Sequence, residues 1–158
     1  MFSQTVEYAL RAMVYLAAKG SGSSPAPVIA SQVRVPERYM SKVMHSLVMA
    51  GLVKSRRGPT GGFALARPPE EISMLAVVEA VGPLPRIKRC PLDNPLHASL
   101  CPMHRRLADA FDLIRRELDR SMLSEVAHSS EGEPRCSILS CGGDGGCRHK
   151  HGSGADPA

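Results

Sequence analysis

Two short β-prone runs, Leu52 to Ser55 and Phe63 to Ala66, flank the segment RRGPTGG (Arg56 to Gly62) and follow at once on an amphipathic helix. No other stretch of the chain limits the fold so narrowly. Glycine-rich turn chemistry between two such runs closes a β-hairpin. The helix before it spans about Glu37 to Ala50, with Tyr39, Met40, Val43, Met44, Leu47 and Val48 as its buried stripe and Gly51 as its C-terminal stop. Its other side carries Arg38, Ser41, Lys42 and His45. A shorter helix, Val28 to Val33, precedes it across a turn at Arg34-Val35-Pro36, with Pro36 suited to the start of the following helix. Two helices joined by a tight turn, the second basic on its free face, make a helix-turn-helix, and the hairpin behind them makes a wing.

The rest of the chain reads as more helix. Val6, Leu10, Met13, Val14 and Ala17 recur at three- and four-residue steps, so Phe2 to Lys19 is an amphipathic helix that GSGSSPAP (Gly20 to Pro27) breaks. Pro68 to Glu71 is a linker, and Ser73 caps a short helix ending at Val81, before Gly82-Pro83. The longest helix spans Pro102 to Arg120, with Leu107, Ala110, Phe111, Ile114 and Leu118 along one side. That seam suits either a second copy of the chain or the body of the same subunit. A short helix follows at Met122 to Ala127, and from Ser129 onward Gly, Ser, Cys, His and charge replace the apolar pattern, a composition expected to stay disordered. The expected fold is therefore mainly α with one small β-hairpin. Its organisation is a winged helix-turn-helix at 1–81, a loop at 82–101, a dimerisation helix region at 102–127 and a tail at 128–158.

Charge is distributed unevenly along the 158 residues. Residues 1–67 hold nine Lys and Arg against two Asp and Glu, while the overall formal charge is +5. The first part is thus +7 and the remainder −2, as expected of a polyanion-binding module joined to a second function. Arginines on a slim hairpin can enter a minor groove, where flanking phosphates concentrate negative potential. The candidate DNA-contacting residues are Arg38, Tyr39, Ser41 and Lys42 on the helix and Arg56, Arg57, Gly58, Gly61 and Gly62 on the wing. Tyr39 suits stacking on the sugar-phosphate backbone as well as core packing. No apolar run approaches the roughly 20 residues of a membrane span, and Glu7 and Arg11 interrupt the N-terminal pattern, so a cytoplasmic protein is expected.

Cys90 and Cys101 lie in the loop before the long helix, and Cys101-x-x-His104 sits at that helix's start. They are either small hydrophobes or metal donors. Cys136, Cys141 and Cys147 with His149 and His151 match no standard zinc-finger spacing and leave metal binding and simple thiol reactivity open. A thiol enzyme is not expected, because C-x-x-H brings no oxyanion device and no third orienting residue.

LVMAGLVKSRRGPTGGFAL, Leu47 to Leu65, resembles the signature of the Rrf family, the winged-helix repressors of the IscR and NsrR type, and SQTVEYALRAMVYLA matches the first helix of such proteins. The resemblance spans about residues 1–127. It implies a homodimeric transcription regulator, joined by the long helices, that presents a recognition helix to the major groove of double-stranded DNA and a wing to the minor groove. It further implies an iron–sulfur cluster in the loop before the dimer helix. Many members use three cysteines there, whereas this loop offers Cys90 and Cys101, then His104. Glu7 lies where some relatives carry a first-helix carboxylate ligand, from the same or the partner subunit. The implied set is Glu7, Cys90, Cys101 and His104, better suited to [2Fe–2S] than to [4Fe–4S]. The alternative is a cluster-free regulator responding to a metabolite, a partner protein or thiol oxidation. A metal-carrying role for the tail is the more distant one.

Overall fold

The computed structural model describes residues 3–58, 61–89 and 100–127. Cys90 and the tail residues Cys136, Cys141, Cys147, His149 and His151 therefore lie outside the described residues, as do Pro59 and Thr60 of the hairpin tip.

Helix α1 is Gln4–Lys19, and Ser3 caps its start by accepting the Val6 N–H on its hydroxyl. Helix α2 is Ala26–Gln32. It starts earlier than the expected Val28 because Pro27 sits in the first turn, where its missing N–H removes no helical bond. Arg34 takes a left-handed φ of +54° in the turn that follows, and the Val35 N–H reaches back to the Ala30 carbonyl at 2.9 Å. Helix α3 then spans Glu37–Met49. It ends as the sequence suggests, on Gly51 at φ +71°, with Gly51 N–H bonded to Val48 O and Leu52 N–H to Leu47 O.

Strands β1 (Val53–Arg56) and β2 (Gly62–Leu65) pair antiparallel, with Val53 opposite Leu65 and Arg56 opposite Gly62. Each lies one residue from its expected limits. A 3-10 turn at Pro69–Glu71 leads into α4 (Met74–Val81), capped by Ser73, whose hydroxyl accepts the Ala76 N–H. Helix α5 covers Pro102–Arg120 as expected, and α6 covers Leu123–Ala127.

The core sits between α1, α2, α3, α4 and α6. Met13 and Leu16 of α1, Ile29 of α2, and Met40, Met44 and Leu47 of α3 are fully buried. With no tryptophan in the chain, methionine and leucine fill this space, each contributing about 1.5–3 kcal/mol by leaving water. Tyr39 departs from the expected buried stripe: it is exposed, and Val48 is only half-buried. The core face of α3 is thus narrower than its apolar pattern, centred on Met40, Val43, Met44 and Leu47. Helix α5 buries none of its own residues. Its C-terminal end is tied down instead, by Met74 N–H to Ser121 O at 2.9 Å and Leu123 N–H to Ile72 O at 2.8 Å, which seats Leu123 in the core.

Candidate nucleic-acid interface

Helix α3 divides along its length. Arg38, Ser41, Lys42 and His45 are all exposed, and their spacing of three, one and three residues draws one polar stripe opposite the buried methionines. None of the three candidate polar contacts, Arg38, Ser41 and Lys42, is drawn into the core. The Arg38 guanidinium lies over the Tyr39 ring, 4.8 Å from its centroid, and the Tyr39 ring meets Tyr8 of α1 at 6.4 Å, tilted by 54°. A cation over an exposed ring gains about 0.5–1 kcal/mol. Tyr39 is therefore a platform on the helix surface, holding Arg38 and leaning on α1.

The wing leaves α3 through the Gly51 turn. Arg56 ends β1, opposite Gly62, and Arg57 and Gly58 continue exposed into the tip. The tip is narrowed by a hydrogen bond from Gly61 N–H to Gly58 O at 2.9 Å. The opposite edge of β2 is engaged as well. Ser24, in the segment read only as a helix breaker, exchanges two backbone hydrogen bonds with Phe63, at 2.9 and 2.8 Å. Ser24 is fully buried, and its hydroxyl is met by the Lys19 ammonium at 2.6 Å. The wing is thus strapped to the end of α1. A one-residue bridge has no periodicity, so the sequence carried no sign of it beyond the glycine at 62.

The candidate metal donors are partly assembled. Cys101 is the N-cap of α5 and half-buried, and its Sγ lies 3.1 Å from His104 Nδ1, one helical turn on. A thiolate and an imidazole at this spacing are half of a four-donor set of the kind iron or zinc takes. Glu7 is elsewhere: exposed on α1 and ion-paired with Arg11. Among the described residues no group of three or more His, Cys, Asp or Glu gathers around one point, so a single chain does not bring Glu7 to the Cys101–His104 pair. The described donors fit such a group in part only. Likewise, among the described residues no helix is long and apolar enough to cross a membrane.

Comparison with known proteins bears on the whole of this arrangement. The family model of Rrf2, described as an iron-dependent transcriptional regulator, matches residues 2–129. An Rrf2-like, HTH-type transcriptional regulator of Rhodobacter capsulatus is 30% identical over 150 residues, covering 88% of this chain and 99% of that one. An HTH-type regulator of Aquifex aeolicus is 38% identical over 90 residues, 57% of this chain, and the match spans only 62% of that relative. Among solved structures, CymR, the global cysteine regulator of B. subtilis, superposes with a TM-score of 0.67 at 27% identity, over 80% of this chain and 95% of CymR. IscR of T. potens superposes with a TM-score of 0.66, also at 27% identity, over 79% and 84% of the two chains.

Proposed function

Since this chain belongs to the Rrf2 family of DNA-binding transcriptional regulators, we propose that it acts as a homodimeric repressor that binds a partly symmetric operator with α3 and the wing. The observation that carries this reading is the polar stripe of α3, which stands free on a helix whose other side is the core. Arg38, Ser41 and Lys42 read base edges or backbone in the major groove. Arg56 and Arg57 probe the minor groove, and Gly58, Gly61 and Gly62 keep the hairpin slim enough to enter it. Two-fold symmetry sets the half-sites one or more helical turns apart. The division of labour is a winged helix-turn-helix at 1–81, a sensing loop at 82–101 and a dimer helix region at 102–127. The test is selection of binding sites from genomic fragments, followed by Arg38→Ala and Arg57→Ala on the recovered sequence. A recovered palindrome, with specificity relaxed at one base pair by Arg38→Ala, supports the reading. Recovery of no sequence preferred over bulk DNA sinks it.

The closeness of Cys101 and His104 favours a second element, a sensor. We infer that Cys90, Cys101 and His104, with Glu7 of the partner subunit, hold a [2Fe–2S] cluster. Bound there, such a cluster would supply redox- and nitric-oxide-sensitive ligation chemistry. Cys101 and His104 fix their end of the site to the first turn of α5, so a change in ligation is felt where the dimer helix begins. The likeness to IscR supports this reading, and the likeness to CymR supports a cluster-free regulator answering to thiol oxidation or a metabolite. Anaerobic purification with iron and sulfide assays separates the two. A brown protein that loses its visible absorbance on Cys101→Ala supports the cluster; a colourless one after reconstitution assigns the pair to thiol chemistry.

A further inference from the structure

Behind the wing, between the end of α1 and the outer face of the hairpin, lies an open cleft of about 360 Å³. Ala64, Leu65 and Pro69 give it an apolar lining, and Lys54, Arg56 and Arg67 bring three cations to it. Lys54 and Arg56 share it because alternate residues of a strand point to one face; Arg67 joins them just past β2. All three are exposed, and none forms an ion pair among the described residues. The carboxylates of the adjoining 3-10 turn, Glu70 and Glu71, do not line the cleft. Lys19, next to the lining residue Gly20, is committed to Ser23 O and Ser24 Oγ.

Three like charges held together without a counter-charge disfavour the free protein and await an anion. We propose that this cleft is a phosphate-binding site, and that its occupant is the phosphodiester backbone of the bound duplex, running on from the wing tip past Arg56. The inference rests on the DNA-binding reading above and adds Lys54 and Arg67 to it. These two residues fix the wing and set affinity, without reading sequence. The connection to the wing is direct, since Arg56 belongs both to the tip's approach and to the cleft. A phosphorylated small molecule has the same chemistry and is the other source of such an anion.

Because backbone contacts ignore sequence, the experiment needs only a duplex of arbitrary sequence, bound to the full-length protein over a range of salt. Each lost phosphate contact lowers the slope of log K against log salt by about 0.9. Lys54→Ala/Arg67→Ala is expected to flatten the slope by about 2 and to weaken binding by on the order of tenfold or more at low salt. Lys88→Ala/Arg89→Ala removes the same charge from exposed positions that do not line the cleft, and is expected to leave the slope near that of the native protein. An unchanged slope in the cleft variant, or equal flattening in both, overturns the proposal. So does saturable binding of AMP that the cleft variant loses while its slope stays native, which gives the site to a small phosphate. Failure of the native protein to bind any duplex would be a failure of the DNA-binding reading itself, and shows before any variant is made.

Discussion

Gly62 stands so close to Ser24 that a β-carbon built on it would lie 2.4 Å from the Ser24 carbonyl carbon and 2.5 Å from its oxygen. The reciprocal hydrogen bonds between Ser24 and Phe63 fix that approach, and φ at Gly62 is +144°, a backbone conformation side chains rarely adopt. One of the wing glycines expected to contact DNA is therefore also the residue that lets the wing strap onto the end of α1.

Gly62→Ala is accordingly predicted to be a stability variant. The neighbouring atoms are backbone, which cannot swing aside, so either the bridge to Ser24 opens or the strand twists. A cost of about 1–3 kcal/mol is expected, as for other strained backbone positions. For a chain of this size that lowers Tm by roughly 2–12 °C. Thermal unfolding followed by circular dichroism measures it. A native Tm with reduced DNA affinity would mean that Gly62 serves the DNA contact alone.

How far the sequence foretold these features depended on whether a feature repeats. Helices α1, α3 and α5 are legible because apolar residues return every three or four positions, and α5 has Pro102 and Arg120 at its ends as the pattern required. The Cys101–His104 contact was legible too, since a spacing of three on a helix brings side chains together. Ser24 was not, because a single bridged residue repeats nothing. Tyr39 misled, since it sits at the edge of the apolar stripe and an aromatic there satisfies the pattern whether it turns in or out; Arg38 and Tyr8 hold it out. Lys54 and Arg67 lie outside the RRGPTGG tip and belong to no motif, although strand alternation alone places Lys54 on the same face as Arg56. Whether Glu7 meets a loop donor is a question of long-range placement that no local pattern encodes, and among the described residues Glu7 pairs with Arg11 instead.

Tyr39 offers a clean separation of packing from recognition. Tyr39→Phe keeps the ring beneath Arg38 and beside Tyr8, losing only a long contact between Arg38 Nη2 and the hydroxyl at 3.4 Å. Its operator affinity is expected to stay within about twofold of native. Tyr39→Ala removes the platform, and a loss of about 0.5–1 kcal/mol of cation–π energy weakens operator binding about two- to fivefold. Because the ring is exposed, Tm is expected to hold in both variants. A marked fall in Tm for Tyr39→Ala, with operator affinity of the folded protein intact, would return Tyr39 to the core.

Arg115 ties the long helix to the rest of the subunit. It pairs with Glu79 of α4 and donates from Nη2 to the Leu84 carbonyl at 3.3 Å, while Arg86 approaches the same carboxylate at 3.5 Å. The Arg115 side chain is only 16% exposed, so removing its counter-charge strands a partly desolvated cation. Glu79→Gln is predicted to cost about 1 kcal/mol, because Glu79 itself is partly solvated and screening trims the pair's worth. Glu117→Gln breaks the exposed pair with Arg120 and is expected to cost less than about 0.5 kcal/mol. Urea unfolding of the two variants side by side is the measurement. Equal midpoints would mean that the Glu79–Arg115 pair does not anchor α5.

The same helix carries the prediction about assembly. Over 19 residues α5 has no fully buried residue within the subunit, and Leu107, Leu113 and Ile114 are 45%, 53% and 40% exposed. Leu107, Ala110, Phe111, Ile114 and Leu118 follow the three–four spacing of a pairing seam, about 17 Å long at 1.5 Å per residue. Phe111 and Leu118 are half-buried, but Leu107 and Ile114 stand in water, and a seam so exposed favours a second copy. Leu107→Lys/Ile114→Lys places two charges in it, and light scattering is expected to show the dimer mass of the native protein fall to that of one chain. The variant should keep its helical content, since neither residue supports the subunit's own core. It should also lose most of its affinity for a two-half-site operator, because the second half-site no longer benefits from the high local concentration that dimerisation confers. Native Tm rising with protein concentration is the companion signature, as for any fold linked to self-association. A native protein already of single-chain mass, or a double variant that unfolds outright, would place the seam's partner within the subunit instead.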